Sequence, residues 1–182
     1  NELKSYIIRF WLFIKINNMI ILLKNKHTLQ IDDFILNCSI GKKGLTTNKK
    51  EGDKKTPKGK FGIGDLYYRK DRIIKPETSL KCIQIKNNMG WCNDVNFSLK
   101  YNKPIKVNKK IRHEKLKRKD NKYDLLIPIK YNFKKPIPGL GSCIFIHLTD
   151  NYKPTAGCVA LKKKDFLILA KIVKKNSKIK IF

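Results

Sequence analysis

The chain has 182 residues, the size of one compact domain, with 41% apolar and 31% charged residues. Ten Gly and seven Pro are too few for a collagen-like or low-complexity chain, and no charge-free apolar run approaches the ~18 residues of a membrane span. Lys and Arg number 42 against 14 Asp and Glu, a formal charge of +28, yet five of the basic residues are Arg (Arg9, Arg69, Arg72, Arg112, Arg118) and the rest are Lys. Arg reads bases and phosphates bidentately, whereas Lys is a hydrated point charge. Lys, Asn and Ile, all abundant here, are also the residues of A/T-rich codons. The excess therefore reads as a solvated Lys coat rather than a dedicated nucleic-acid face, although such a coat still draws anionic ligands by long-range attraction.

Residues 1–18 are apolar but interrupted by Arg9 and Lys15, and they carry no small-residue cleavage site. They are expected to be an N-terminal arm or upstream extension, with the domain proper at 19–182. From Met19 the pattern is one of short strands: Ile20–Leu23, Thr28–Ile31 and residues 34–40, split by Lys24-Asn25-Lys26 and by Asp32-Asp33. A polar stretch at 41–59 follows, then strand candidates at 61–64, Leu66–Tyr68, 82–85, 105–107, 125–131 and 143–148. Residues 108–122 are dominated by charge and are expected to form a solvated loop or short helix. Phe166, Leu169, Ala170 and Val173 recur at three- and four-residue steps, which predicts a helix over 162–175. Asp165 falls in its first turn and Lys174-Lys175 in its last, both favourable to the helix dipole. Alternation at 178–182 predicts a closing strand. Many short strands with one late helix give a mainly β domain, a sandwich or partly closed barrel. No repeat or linker divides it.

The five Cys (Cys38, Cys82, Cys92, Cys143, Cys158) include no CxxC spacing, and His27, His113 and His147 are scattered. Neither a metal site nor a disulfide framework is indicated, which leaves a nucleophilic thiol to consider. The segment that bears on this is Cys143-Ile144-Phe145-Ile146-His147, followed by a loop and by Pro154-Thr155-Ala156-Gly157-Cys158-Val159-Ala160-Leu161. A thiol attacks as thiolate, and an imidazole held on a strand end can take its proton. Gly157 permits a turn that lifts the thiol, the amides of Gly157 and Cys158 can form an oxyanion hole, and the Thr155 hydroxyl can orient a catalytic group. The same residues also suit an ordinary core strand with a structural His, because Cys is among the most buried residue types. Cys143, set between Ser142 and Ile144-Phe145, is better explained as packing.

This segment resembles the signature of the L,D-transpeptidase catalytic domain, the YkuD family, in which a His is followed after a loop by Ser/Thr-His-Gly-Cys. His147, Thr155, Gly157 and Cys158 match it. Lys50-Glu51-Gly52-Asp53-Lys54-Lys55-Thr56-Pro57-Lys58-Gly59-Lys60-Phe61 resembles the family's Thr-Pro-x-Gly-x-Phe element. Gly90-Trp91-Cys92-Asn93-Asp94, Tyr131-Asn132 and 138–142 also resemble one branch. The likeness covers about 19–182. Ala156 stands where the signature has its second His, Ala160 where it has Arg or Asn, and the loop is short.

The resemblance implies a cysteine-dependent L,D-transpeptidase acting on peptidoglycan stem peptides through a Cys158 thioester, with His147 as base. It implies no metal and no organic cofactor, acylation by carbapenem-type inhibitors, a monomer without a specific nucleic-acid partner, and work in the periplasm or cell envelope, although no export signal is evident. Lys153, His113 and Tyr123 are the expected substrate-side residues, with Glu114 and Asp124 behind them. The alternatives are a cysteine hydrolase on the same substrates (L,D-carboxypeptidase or amidase) and a non-catalytic basic module binding nucleic acid or an anionic polymer.

Overall fold

The structure, a computed structural model, describes Ser5 and residues 19–182. The arm expected at 1–18 thus lies, apart from Ser5, outside the described residues. The strands are β1 (Ile20–Leu23), β2 (Thr28–Ile31), β3 (Phe34–Ser39), β4 (Leu45–Thr46), β5 (Thr56–Pro57), β6 (Gly59–Gly62), β7 (Leu66–Tyr68), β8 (Cys82–Gln84), β9 (Met89–Cys92), β10 (Pro104–Lys106) and β11 (His113–Lys115). After them come β12 (Leu125–Pro128), β13 (Phe145–Leu148), β14 (Val159–Leu161), the helix α1 (Lys163–Ile172) and β15 (Lys178–Ile181).

Ten strands form one sheet in the order β6-β15-β1-β2-β3-β14-β13-β12-β7-β8. It curls because β3 changes partner along its length: Phe34 to Asn37 pair with β2, whereas Cys38 and Ser39 pair with β14. The curl returns the β6 edge to β12. Ile63 bridges Ile129, Gly64 N–H donates to the Pro128 carbonyl at 2.7 Å, and Lys130 N–H donates to the Gly62 carbonyl at 2.8 Å. The strands from β6 round to β12 thereby close on themselves, and β7 and β8 run on beyond the seam. The domain is mainly β, a partly closed barrel with one helix, as the pattern of short strands predicts.

The barrel interior is filled by alternate residues of its strands, among them Ile21, Leu23, Leu29, Ile31, Ile127, Ile146 and Leu161, and by Phe166, Leu169, Ala170 and Val173 of the helical stripe. The helix is shorter than its periodicity predicts. Val173 is extended (φ −66°, ψ 149°), with its N–H still bonded to the Leu169 carbonyl, and Lys174 and Ser177 exchange bonds of 2.8 and 2.9 Å that turn the chain into β15. The basic residue of the last turn is therefore Lys171, not Lys174-Lys175.

The other correction concerns the charged segment 108–122. It contributes β11, which pairs with β9 in a three-stranded sheet, β10-β9-β11. That sheet covers the outer face of β12 and β13, where Trp91, Leu116, Tyr123, Leu126 and Phe145 make a second apolar cluster. One burial decides the placement: Leu116, flanked by charge in sequence, is fully buried.

Phe166 is completely buried in the barrel core. Phe166→Ala is expected to cost about 3–5 kcal/mol, read as a lowered urea midpoint at unchanged slope. A loss well under 1 kcal/mol would mean that α1 is not a wall of the core.

Candidate active site

Pleat geometry sets the site. Along β13 and the residue before it, Ile144, Ile146 and Leu148 enter the barrel core while Phe145 and His147 face the other way. Along β14 and the residue before it, Val159 and Leu161 enter the core, and Cys158 and Ala160 face outward. The two strands are parallel, with Ile146 opposite Val159 and His147 opposite Ala160. His147 and Cys158 are thus on one face of neighbouring strands as diagonal neighbours, a relation that sets Cα atoms roughly 7–8 Å apart and lets an imidazole and a thiol approach. Ala160, directly opposite His147, adds only a methyl group.

The turn that delivers Cys158 is built from hydroxyls. Thr155 Oγ1 donates to the Cys158 carbonyl at 2.7 Å and accepts from Gly157 N–H at 3.0 Å. Thr56 Oγ1 donates to the Gly157 carbonyl at 2.8 Å and accepts from Gly41 N–H at 2.9 Å. Gly157 has φ +142°, and a Cβ there would lie 2.9 Å from the Lys55 carbonyl oxygen, so the position takes no side chain. The Thr-Pro element and the Gly-Cys element, 101 residues apart, meet in the bond from Thr56 to Gly157.

Both reacting candidates are nearly buried, Cys158 at 7% and His147 at 6% exposure, yet both line a cleft of about 530 Å³. His147 Nδ1 lies 2.8 Å from the Leu148 carbonyl oxygen. A carbonyl only accepts, so Nδ1 carries the hydrogen and Nε2 presents a lone pair. Burial pushes the imidazole down to about 4, against the pull of that hydrogen bond. The Cys158 thiol donates to the Cys143 carbonyl at 3.2 Å, and Phe145 N–H points at its sulfur at 3.4 Å. Burial pushes the thiol up to about 12 despite the Phe145 amide. The resting pair is therefore neutral, thiol beside imidazole, rather than a preformed thiolate–imidazolium pair.

One wall of the cleft comes from the small sheet and the loop after it. The Arg118 guanidinium binds Asp120 through two nitrogens at 2.8 and 2.7 Å and Glu114 at 2.8 Å. It also lies 5.0 Å from the centre of the Tyr123 ring, which stands edge-on to His147 at 5.4 Å. The opposite wall contains Glu51, whose carboxylate accepts from Ser142 at 2.7 Å and from Tyr101. Among the described residues, no group of three or more His, Cys, Asp or Glu is arranged to hold a metal ion.

Of the residues singled out from sequence, Cys158, His147, Thr155, Lys153 and Tyr123 line the cleft, as do Cys143 and Glu114. Gly157 does not. Its N–H is taken by Thr155, which removes it from the expected oxyanion pair. His113 is also outside the lining: it points toward Gly90 on β9, with Nδ1 2.6 Å from the Ile111 carbonyl oxygen. Strand alternation on β11 gives the cleft Glu114 in its place. Asp124 is buried in ion pairs with Arg69 and Arg72, at 3.9 and 3.2 Å, and is structural. Thr56, Glu51, Arg118 and Asn102 were not singled out. Thr56 is marked by its Thr-Pro motif, but nothing local marks Glu51 or Asn102.

A family model for the L,D-transpeptidase catalytic domain (YkuD) matches residues 9–181. The chain belongs to this family. Two solved structures are similar to this L,D-transpeptidase-family domain. One is Bd1075 of Bdellovibrio bacteriovorus, with 17% identity and a TM-score of 0.48, covering 92% of this chain and 48% of that one. The other is the helical cell shape determining protein Pgp2 of Campylobacter jejuni, with 16% identity and a TM-score of 0.45, covering 95% of this chain and 53% of that one. The domain thus spans about half the length of either structure. No curated protein matches it.

Two outcomes follow for the domain. Thr56→Val strips the buried Gly41 N–H and Gly157 carbonyl of their partner and is expected to cost about 1–3 kcal/mol, measured by denaturant unfolding. A cost near zero would mean that the bridge does not hold the turn. His147 takes up a proton near 6.5 when unfolded but only near 4 when folded. Between those values the unfolded chain binds more protons, so stability falls as pH falls, by about 3 kcal/mol in all. His147→Gln is expected to flatten that part of the stability–pH curve, and an unchanged slope would contradict a buried neutral imidazole.

Proposed function

We propose that the domain is a cysteine-dependent L,D-transpeptidase that acts on peptidoglycan stem peptides through a Cys158 thioester. The observation that supports this best is the placement of His147 and Cys158 on one face of adjacent parallel strands, opening into one cleft. The Cys158 thiol gives its proton to His147 Nε2 as the sulfur attacks the carbonyl of the L-centred third residue of a tetrapeptide donor. In this reading the developing oxyanion is received by the Cys158 amide. The C–N bond to the terminal D-alanine breaks, and the leaving amine takes the proton from His147, leaving the thioester. An acceptor amine then attacks, gives its proton to His147, and the departing thiolate recovers it.

Two features of the site suit this cycle. With its Nδ1–H fixed on the Leu148 carbonyl and burial keeping the ring uncharged, the imidazole leaves its Nε2 lone pair open to accept the thiol proton at neutral pH. The buried thiol stays protonated until a donor fills the cleft and changes its surroundings, so thiolate is generated against bound substrate. Thr155 and Gly157 shape the turn rather than touch the reacting atoms. Lys153, Tyr123, Glu114 and Arg118 line the substrate side. Peptidoglycan lies outside the cytoplasmic membrane, so the domain works in the cell envelope. No helix among the described residues is long and apolar enough to cross a membrane.

The test is mass spectrometry of disaccharide tetrapeptides incubated with the protein. Cross-linked dimers lacking one D-alanine are expected, whereas tripeptides alone would identify an L,D-carboxypeptidase. Cys158→Ala is expected to abolish product and the covalent carbapenem adduct together. His147→Gln is expected to slow turnover by about 10²–10⁴-fold, the range of general acid–base catalysis. Intact substrate with the wild-type protein, or an adduct that survives Cys158→Ala, would refute the assignment.

A further inference from the structure

Asn102 lies in the loop between β9 and β10, 4% exposed and in the left-handed region at φ +53°. All of its side-chain valences are used. Oδ1 accepts from Trp91 Nε1 at 2.9 Å and from Cys143 N–H at 3.1 Å, and Nδ2 donates to the carbonyls of Tyr131 and Asn132 at 3.0 and 2.8 Å. The indole and the peptide N–H are donors only, so the amide orientation is unambiguous. What it holds is unusual: Cys143 is also left-handed, at φ +54°, a conformation that residues bearing a Cβ rarely adopt. With the Cys143 N–H tied to Asn102, the Cys143 carbonyl points at the Cys158 thiol and accepts its proton at 3.2 Å. Asn132 holds the same loop from its other end, its Nδ2 donating to the Gly141 carbonyl at 3.0 Å.

A carbonyl that accepts from S–H favours thiol over thiolate, because its oxygen dipole would face the anion. The other hydrogen bond to the sulfur, from Phe145 N–H, acts in the opposite sense. The Cys143 carbonyl is thus the hydrogen-bonding group that opposes ionisation, and it is aimed by a residue 56 positions from the nucleophile in sequence. We propose that Asn102 is a positioning residue that holds the Cys143 carbonyl on the Cys158 thiol and keeps the nucleophile protonated until an acyl donor occupies the cleft. To react, the thiol must turn from that carbonyl to His147 Nε2. The meaning of this restraint for turnover rests on the proposed function. The restraint itself does not, because a small alkylating agent reads it without peptidoglycan.

The experiment is the pH profile of Cys158 alkylation by iodoacetamide, followed by peptide mass spectrometry that separates Cys158 from the other four thiols, with melting curves on the same samples. The ionisable groups that face the sulfur, His147 on β13, Glu114 on β11, Arg118 and Tyr123 after it, Cys143 before β13, and Lys49 and Glu51 between β4 and β5, are left in place by substitution at 102. Asn102→Ala is expected to move the Cys158 profile toward lower pH by about one unit, hence about tenfold faster alkylation at a fixed pH below the midpoint, with half-exposed Cys82 unchanged. Asn102→Asp keeps acceptor oxygens for Trp91 and Cys143 but loses the donors to the Tyr131 and Asn132 carbonyls, and is expected to accelerate alkylation less than Asn102→Ala. Should Asn102→Ala not fold, Asn132→Ala releases the same loop and is expected to shift the profile in the same direction. An unmoved profile in whichever of these variants is folded, or equal acceleration in Asn102→Asp, overturns the proposal. Absence of muropeptide turnover, with the profile shifted as expected, would instead count against the enzyme reading alone.

Discussion

The parallel pairing of β13 with β14 is the constraint on which the rest depends. Both strands are buried on both faces, so their alternate residues serve two structures at once. Ile146, Leu148, Val159 and Leu161 seal the barrel, while Phe145, His147, Cys158 and Ala160 face the space under the small sheet. A shift of register by one residue would drive an imidazole into the hydrocarbon core and an isoleucine into the cleft, and both are costly. The hydrophobic pattern that folds the barrel therefore also sets the relative position of His147 and Cys158. Chemistry placed on strands in this way is held more firmly than chemistry placed on loops.

The loop carrying Cys158 has no such ladder and is held by side chains instead. Thr56 and Thr155 each bridge one donor and one acceptor of the backbone, and between them they engage Gly41, Gly157 and Cys158. Buried backbone groups need partners. A turn sharp enough to present a thiol cannot supply them from within, so distant hydroxyls do. This gives a physical reason for the Thr-Pro element and the Gly-Cys element to occur together: the first is part of the support of the second. The small sheet adds a further support from above, where Trp91, Asn102 and the Tyr131-Asn132 pair fix the approach to β13.

How legible each part was in the sequence follows from how local its cause is. The strands from Ile20 to Ser39 are apolar or alternating runs bounded by turn residues, so their limits can be read directly. The α1 stripe is equally plain, but Val173 fits its spacing and is buried while its backbone is already extended, so periodicity overruns the end of the helix. β11 was hidden because Glu114 and Lys115 pair for reasons of geometry rather than hydrophobicity: the strand lies over the cleft, with Glu114 toward it and Leu116 following as its anchor. His147 and Cys158 were visible through residue chemistry and motif, and Thr56 through its motif. Glu51, Arg118 and Asn102 acquire meaning only from partners 91, 4 and 41 residues away, respectively Ser142, Glu114 and Cys143. Two of those separations are beyond any local pattern.

Charge divides in an instructive way between surface and site. Over the whole chain 42 basic residues face 14 acidic ones, but the cleft is lined by four of each: Lys49, Arg118, Lys122 and Lys153 against Glu51, Glu114, Asp120 and Asp150. Were the cleft merely a sample of the Lys coat, it would be strongly positive. Instead Arg118 is neutralised by two carboxylates and Lys49 by Asp53 at 2.5 Å. A long-range positive field can draw the domain to an anionic polymer without sequence or shape preference, and it weakens with salt. Inside the cleft the fixed, short-range pairs largely cancel, so the cleft does not share the net field of the surface. The surface and the site thus answer to different physics, attraction in one and recognition in the other.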